Sequence, residues 1–152
     1  KIILKTIENI SNNDTNPIQQ SKGKNHKIAP KINKELGKIK WEDSIFNIHN
    51  KIRGLSSYIN NEMLLKDTSI CPCAWFELKS NSIYKRIKIQ KSSINDIINK
   101  EVVIDTDNKN YLNINFDKKA LSLEFLQLEG KKAMNIKQFL QGNRINPTDE
   151  IR

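Results

Sequence analysis

YLNINFDKKALSLEFLQL, residues 111–128, alternates apolar and polar side chains twice over. Leu112, Ile114 and Phe116 fall on one face of an extended chain and Tyr111, Asn113 and Asn115 on the other; Leu121 and Leu123 likewise oppose Ser122 and Glu124. Successive side chains of a strand point to opposite faces, so the pattern predicts two strands with one core face and one wet face. Asp117, Lys118 and Lys119 are the expected hairpin connection, although no glycine supplies a positive φ there.

Upstream of this pair, AWFELK, IYKRIKIQKSSI with its alternating Ile87 and Ile89 between lysines, and EVVIDT are three further strand-like runs with short connections. Five such strands predict a mainly β chain with an OB-like barrel of five to six strands. A helix is expected on each side of the strand region. Trp41, Ile45, Ile48, Ile52 and Leu55 follow a 4-3-4-3 spacing, which predicts a helix over 41–54 ended by Gly54. NIKQFLQG predicts a short helix with Ile136, Phe139 and Leu140 inward and Gly142 at its C-cap. Residues 58–70 lack periodicity and read as an inserted loop, with room for one helical turn. Residues 2–10 carry Ile3, Ile7 and Ile10 at helical spacing before the turn formers SNNDTNP.

The 152 residues suffice for one domain with appendages. The chain opens on Lys1 rather than Met, so a piece of a longer protein is expected. No apolar run approaches the ~18 residues that cross a bilayer, and no membrane partner is expected. Cys71 and Cys73, separated only by Pro72, are too close for an ordinary structural disulfide and lack the spacing of a zinc or redox pair.

The net charge is +9, and its placement is uneven. Lys and Arg outnumber Asp and Glu by 9 to 3 in residues 1–40 and by 9 to 6 in 41–100, and equal them at 8 to 8 in 101–152. Residues 22–40 hold seven lysines against Glu35, with Gly23 and Pro30, and read as a basic linker over 21–40. Lysines are compact point charges that suit phosphates more than base edges, so this stretch points to a polyanion. The Lys, Asn and Ile bias of the whole sequence also fits an AT-rich genome, which would enrich lysine without any ligand.

Enzyme chemistry has little to work with. There is no phosphate-cradling glycine loop, nucleophile elbow, zinc-spaced Cys and His set or calcium loop. His49, beside the apolar stripe, is expected to be a half-buried packing residue, and Asp105 and Asp107 to be solvated strand-end charges. The most unusual stretch is LQLEGKKAM, residues 126–134, where a strand meets Gly130 and two lysines before the next helix. Gly130 permits a sharp turn from which Lys131 and Lys132 project.

HKIAPKINKELGKIKW at 26–41, IRGL at 52–55, PCAWFEL at 72–78, RIKI at 86–89, LQLEGKKAM at 126–134 and FLQGNRI at 139–145 together resemble the ordered landmarks of methionyl-tRNA formyltransferases after their catalytic domain. The resemblance covers about three quarters of the chain. It departs from the family at the 58–70 insertion, at Glu101-Val102 in place of a common Pro-Gly, and at Asp-Lys-Lys in place of a glycine hairpin.

The resemblance implies an OB-like C-terminal barrel over 41–145, a linker over 21–40, the tail of a formyltransferase domain over 1–20 and a terminal tail over 146–152. It implies that initiator methionyl-tRNA is the partner, that the missing N-terminal catalytic domain of the same polypeptide supplies formyl transfer from 10-formyltetrahydrofolate, and that this chain alone is inactive, without cofactor or metal. The tRNA-binding residues expected are Lys27, Lys31, Lys34, Arg53, Lys131 and Lys132. A monomer is expected, in a bacterial cytoplasm or in an organelle of an AT-rich eukaryote. Two alternatives stand beside this reading: the barrel of a related transformylase or hydrolase with a non-RNA substrate, and a structural interaction module.

Overall fold

The structure is a computed structural model that describes residues 2–19, 31–59, 62–63, 73–80, 83–97 and 103–152. The chain divides into two compact units, Lys1–Lys31 and Ile32–Arg152. In the first unit, helix α1 (Ile2–Ser11) leaves its isoleucines exposed. The helix ends on Asn13, whose positive φ of 56° lets Asp14 N–H reach the Asn9 carbonyl at 2.9 Å and Asn13 N–H the Ile10 carbonyl at 3.2 Å. This is a Schellman ending with asparagine in the left-handed position usually given to glycine.

The second unit runs, in order, through helix α2 (Ile45–Leu55) and strands β1 (Tyr58–Ile59), β2 (Glu62–Met63), β3 (Ala74–Ser80), β4 (Ile83–Asn95), β5 (Ile104–Thr106), β6 (Leu112–Phe116), β7 (Lys119–Leu128) and β8 (Met134–Asn135). Helix α3 (Ile136–Gly142) and strand β9 (Glu150–Ile151) complete it. The five strands expected from alternation all form. They and β9 make one sheet of order β5-β6-β7-β4-β3-β9, antiparallel at every step and curled into a half-barrel.

The curl has a local origin. Between β4 and β7 the register shifts twice, on either side of the Lys91–Phe125 pair, so that Gln90 on one strand and Glu124 on the other are each an extra residue. Bulges of this kind bend a strand and increase its twist. Gln90 is buried, donates from Nε2 to Cys73 Sγ at 3.0 Å and accepts from Ser57 Oγ at 3.1 Å, so the bend ties the residue that follows α2 to the entry of β3.

The concave face is filled by Phe76, Ile87, Ile89, Ile104, Leu112, Ile114, Leu121, Leu123 and Leu126, and closed by Ile45, Ile48 and Ile52 of α2 and Phe139 and Leu140 of α3. Each fully buried isoleucine or leucine contributes on the order of 2 kcal/mol relative to exposure. α2 starts four residues later than its apolar spacing suggests. Trp41 stands before the helix and meets Phe76 and Phe116 edge-on, each at a centroid distance of 5.6 Å, while Ser44 caps the helix by accepting from Asn47 N–H. Gly54 lies inside the helix, whose C-cap is Ser56.

Several local expectations are revised. The hairpin loop has two residues, Asp117 and Lys118, with φ of 51° and 61°; Lys119 already belongs to β7. Two successive left-handed residues are what a type I′ turn requires, and here non-glycine residues adopt them. α3 ends at Gly142, but its C-cap is Asn143 in extended backbone, so Gly142 serves no left-handed cap. Asn113 and Asn115, expected on a wet face, are buried, and Asn113 Oδ1 accepts from Ser122 Oγ at 2.6 Å. Asp105 is buried rather than solvated and accepts from Tyr111 Oη at 3.2 Å. Within 58–70, the described part is the antiparallel pair β1 and β2; 60–61 and 64–70 lie outside the described residues. Residues 146–152 carry β9, and Ile39 of the 21–40 segment joins the core.

Candidate nucleic-acid interface

The segment after Lys31 is built onto β3. Trp75 Nε1 donates to the Lys34 carbonyl at 2.8 Å, Ile39 N–H donates to the Trp75 carbonyl at 2.8 Å, and Lys38 Nζ stands 5.4 Å from the Trp75 ring centroid. Asn33 holds the turn by accepting Leu36 N–H at 2.9 Å. Lys34 is thereby fixed through its backbone while its side chain stays exposed.

Trp75 is paired with Lys88 of β4, and Lys88 with Gln127 of β7, all on the outward face of the sheet. Gln127 Nε2 in turn donates to the Lys131 carbonyl at 2.8 Å. Lys131 N–H bonds the Leu128 carbonyl at 3.0 Å, and Gly130 takes a φ of 74°, the geometry of a type II turn that needs a positive φ at its third position. One transverse row thus joins Lys34, Lys88 and Lys131 across three strands that lie about 4.8 Å apart. Lys131 and Lys132 are exposed and Lys88 half-buried, and no ion pair involves Lys34, Lys88, Lys131 or Lys132 among the described residues.

The next outward row is different. Arg86 lies against Trp75, its guanidinium carbon 4.2 Å from the ring centroid, and faces Glu129 at 3.6 Å. Glu77 is held by Arg152 at 2.8 Å and Lys38 at 3.9 Å, Lys79 by Glu150 at 3.0 Å, and Arg152 stacks on Tyr84 at 3.7 Å. Cations here are compensated by carboxylates. The hydrogen bond that Lys79 Nζ donates to Glu150, with that carboxylate's charge, raises the Lys79 pKa above its ordinary value.

Of the residues expected at the interface, Lys34, Lys131 and Lys132 are brought to this row. Arg53 stands apart: it is exposed in the last turn of α2 and donates to Asn50 at 3.4 Å. Lys31 is exposed and belongs to the first unit, and Lys27 lies outside the described residues. Lys88, Lys38 and Arg86 were missed by sequence reasoning. The alternation of RIKI already puts Arg86 and Lys88 on the face opposite Ile87 and Ile89, but their alignment with Trp75 and Gln127 is a matter of register between strands.

His49 is half-buried, with Nδ1 3.0 Å from Ser92 Oγ; burial first, and then Arg53, pull its pKa below the usual value, against the opposing pull of Glu124. Among the described residues no three His, Cys, Asp or Glu side chains are grouped to hold a metal ion, and no helix is long and apolar enough to cross a membrane.

Comparison with known proteins supplies the family. A methionyl-tRNA formyltransferase of Azobacteroides pseudotrichonymphae is 34% identical over 93% of this chain and 40% of its own length. One from Phocaeicola vulgatus is 30% identical over 99% of this chain and 44% of its own, and one from Clostridium botulinum 28% identical over 95% and 41%. The chain therefore spans about two fifths of the length of the curated relatives it matches. Residues 31–144, from the segment that carries Lys34 to the end of α3, match the family described as formyl transferase, C-terminal domain, and the chain belongs to that family.

Proposed function

We propose that this chain is the tRNA-binding C-terminal part of a methionyl-tRNA formyltransferase, which helps to position initiator methionyl-tRNA for N-formylation in translation initiation. The observation that carries the reading is the row Lys34, Lys88, Lys131: uncompensated cations drawn from three separate stretches of sequence onto one outward face. Point charges fixed through their backbones hold a phosphate chain in register without reading bases. The names of the relatives supply the substrate class.

In this reading the row, with Lys132 next to it in sequence, follows the backbone of the acceptor arm, Arg53 makes a separate contact from α2, and Lys27 and Lys31 add charge from the first unit. An upstream catalytic domain of the same polypeptide holds 10-formyltetrahydrofolate and performs the transfer, so the present chain alone is inactive. The exposed apolar side of α1 is then the end of that domain.

The test is a binding series with an initiator tRNA transcript. With about four phosphates neutralised, the slope of log affinity against log salt is expected to be on the order of −3 to −4. The triple substitution Lys88→Ala, Lys131→Ala, Lys132→Ala should weaken binding at least tenfold at low salt and flatten that slope while leaving the circular dichroism spectrum unchanged. Binding that ignores both salt and the substitutions would remove the reading in favour of a structural module.

A further inference from the structure

We infer that Glu129 and Arg86 form a selectivity pair on this surface: Arg86 is an additional phosphate contact, and Glu129 is an internal competitor that an RNA backbone must displace to reach it. The inference rests on the tRNA-binding reading above and goes beyond it by assigning a carboxylate a role in discrimination.

Arg86 is the cation best prepared for a phosphate. It sits two residues from Lys88 on β4, on the same face and therefore about 7 Å away. Trp75 fixes the plane of its guanidinium from one side, and its Nε is buried with no hydrogen-bond partner among the described residues. The side chain is 31% exposed, so with Nε buried the part of the planar fork left to an incoming group is its Nη end. A guanidinium can bind phosphate with two parallel hydrogen bonds.

Glu129 occupies this end loosely. Its Oε1 is 3.6 Å from Arg86 Nη1, its side chain is 69% exposed, and its backbone N–H is tied to the Arg86 carbonyl at 3.3 Å. An exposed pair of this kind contributes little to stability and yields to a better anion. Glu77, the carboxylate opposite Arg86 on β3, is engaged differently: only 17% exposed and bonded by Arg152 at 2.8 Å, it stays in place.

The two rows therefore answer to different ligands. Any polyanion reaches Lys88, Lys131 and Lys132. A backbone that also runs along β4 engages Arg86, and only such a backbone recovers the cost of moving Glu129. For all other anions Glu129 is a repulsive charge beside the lysine row, which is how specificity is gained by penalising wrong partners.

The experiment compares the wild-type chain with Glu129→Gln, Arg86→Gln and the double variant, measuring Kd for an initiator tRNA transcript and for a random-sequence RNA duplex over a salt series. Glu129→Gln should tighten binding of both, by roughly threefold to fivefold for the duplex and by less for the tRNA, so that discrimination shrinks. Arg86→Gln alone should weaken tRNA binding more than duplex binding, and the duplex gain of Glu129→Gln should persist in the double variant. A duplex gain that disappears in the double variant, no gain at all, or equal weakening of both RNAs by Arg86→Gln overturns the inference. If the lysine substitutions weaken tRNA binding while Glu129→Gln changes nothing, only the selectivity pair falls. If neither set has an effect, the tRNA reading falls with it.

Discussion

Lys118 bears the conformational cost of the two-residue turn between β6 and β7. A lysine at φ 61° is held in a region that costs an L-residue with a β-carbon roughly 1 kcal/mol or more. Lys118→Gly should therefore stabilise the chain by about 0.5–1 kcal/mol in urea denaturation, and a loss of stability would mean that the lysine side chain has an unrecognised partner. Asp107 shows the opposite economy. Its carboxylate accepts the backbone N–H of Asn110, Lys109 and Tyr111 and the side chain of Asn110, and the first of these is the largest reason its pKa falls far below the usual carboxylate range. A depressed folded pKa contributes stability above the unfolded value of 3.8, and that stability is lost as pH falls below it. Asp107→Asn should flatten the acid limb of the stability profile between about pH 4 and pH 2. An unchanged acid limb would show that the turn does not depend on the charge. Neither effect was legible in the sequence, because left-handed φ at Asp117 and Lys118 contradicts residue preference and is imposed by the two strands they join.

Among the elements, β4 was the most readable and also the most misleading. Its Ile87 and Ile89 alternation was plain in the sequence, but the phase of the strand changes at Gln90, which no periodicity reveals because a bulge is an agreement between two strands. α2 was readable in type and misplaced at its start: Trp41 satisfies the helical spacing because it packs on Phe76 and Phe116 from outside the helix. β9 was invisible. Two residues carry no pattern, and Glu150–Ile151 extend the sheet only because Glu77 exchanges both backbone hydrogen bonds with Arg152, at 2.9 and 3.0 Å. Deleting residues 150–152 should cost about 2–3 kcal/mol, from two ladder hydrogen bonds and the half-buried Ile151. It should also leave Tyr84 more accessible to a quencher. A truncated chain with unaltered stability would show that the edge is sufficient without β9.

For the molecule as a whole, the sequence indicated a basic linker followed by a barrel whose last third is neutral, and the structure redistributes that charge. Lys34 and Lys38 of the 21–40 segment belong to the unit that begins at Ile32, where they join Lys88 and Lys131. The landmark GKKAM was visible because a type II turn demands glycine at one position, a requirement written in a single residue. The row itself was not visible, since its members lie 34, 88 and 131 residues along the chain and meet only through strand order. Charge counted along the sequence thus sets the 21–40 segment apart from the barrel, whereas Lys34 and Lys38 are built onto β3.

The N-terminus of α2 offers a last consequence. Its first free amide, Ile45 N–H, donates to Asp117 Oδ2 at 3.4 Å, across 72 residues. On a ribosome adding about 5–20 residues per second, the helix emerges roughly 4–14 seconds before the turn that finishes it. Within that interval β3 and β4, which α2 packs against, are already made, so its isoleucines can be covered while the helix start still depends on Ser44 alone for its side-chain cap. What waits for the β6-β7 hairpin is the second cap of α2, and a pause in translation just before codon 117 would lengthen the time that the Ile45 amide stays open to water.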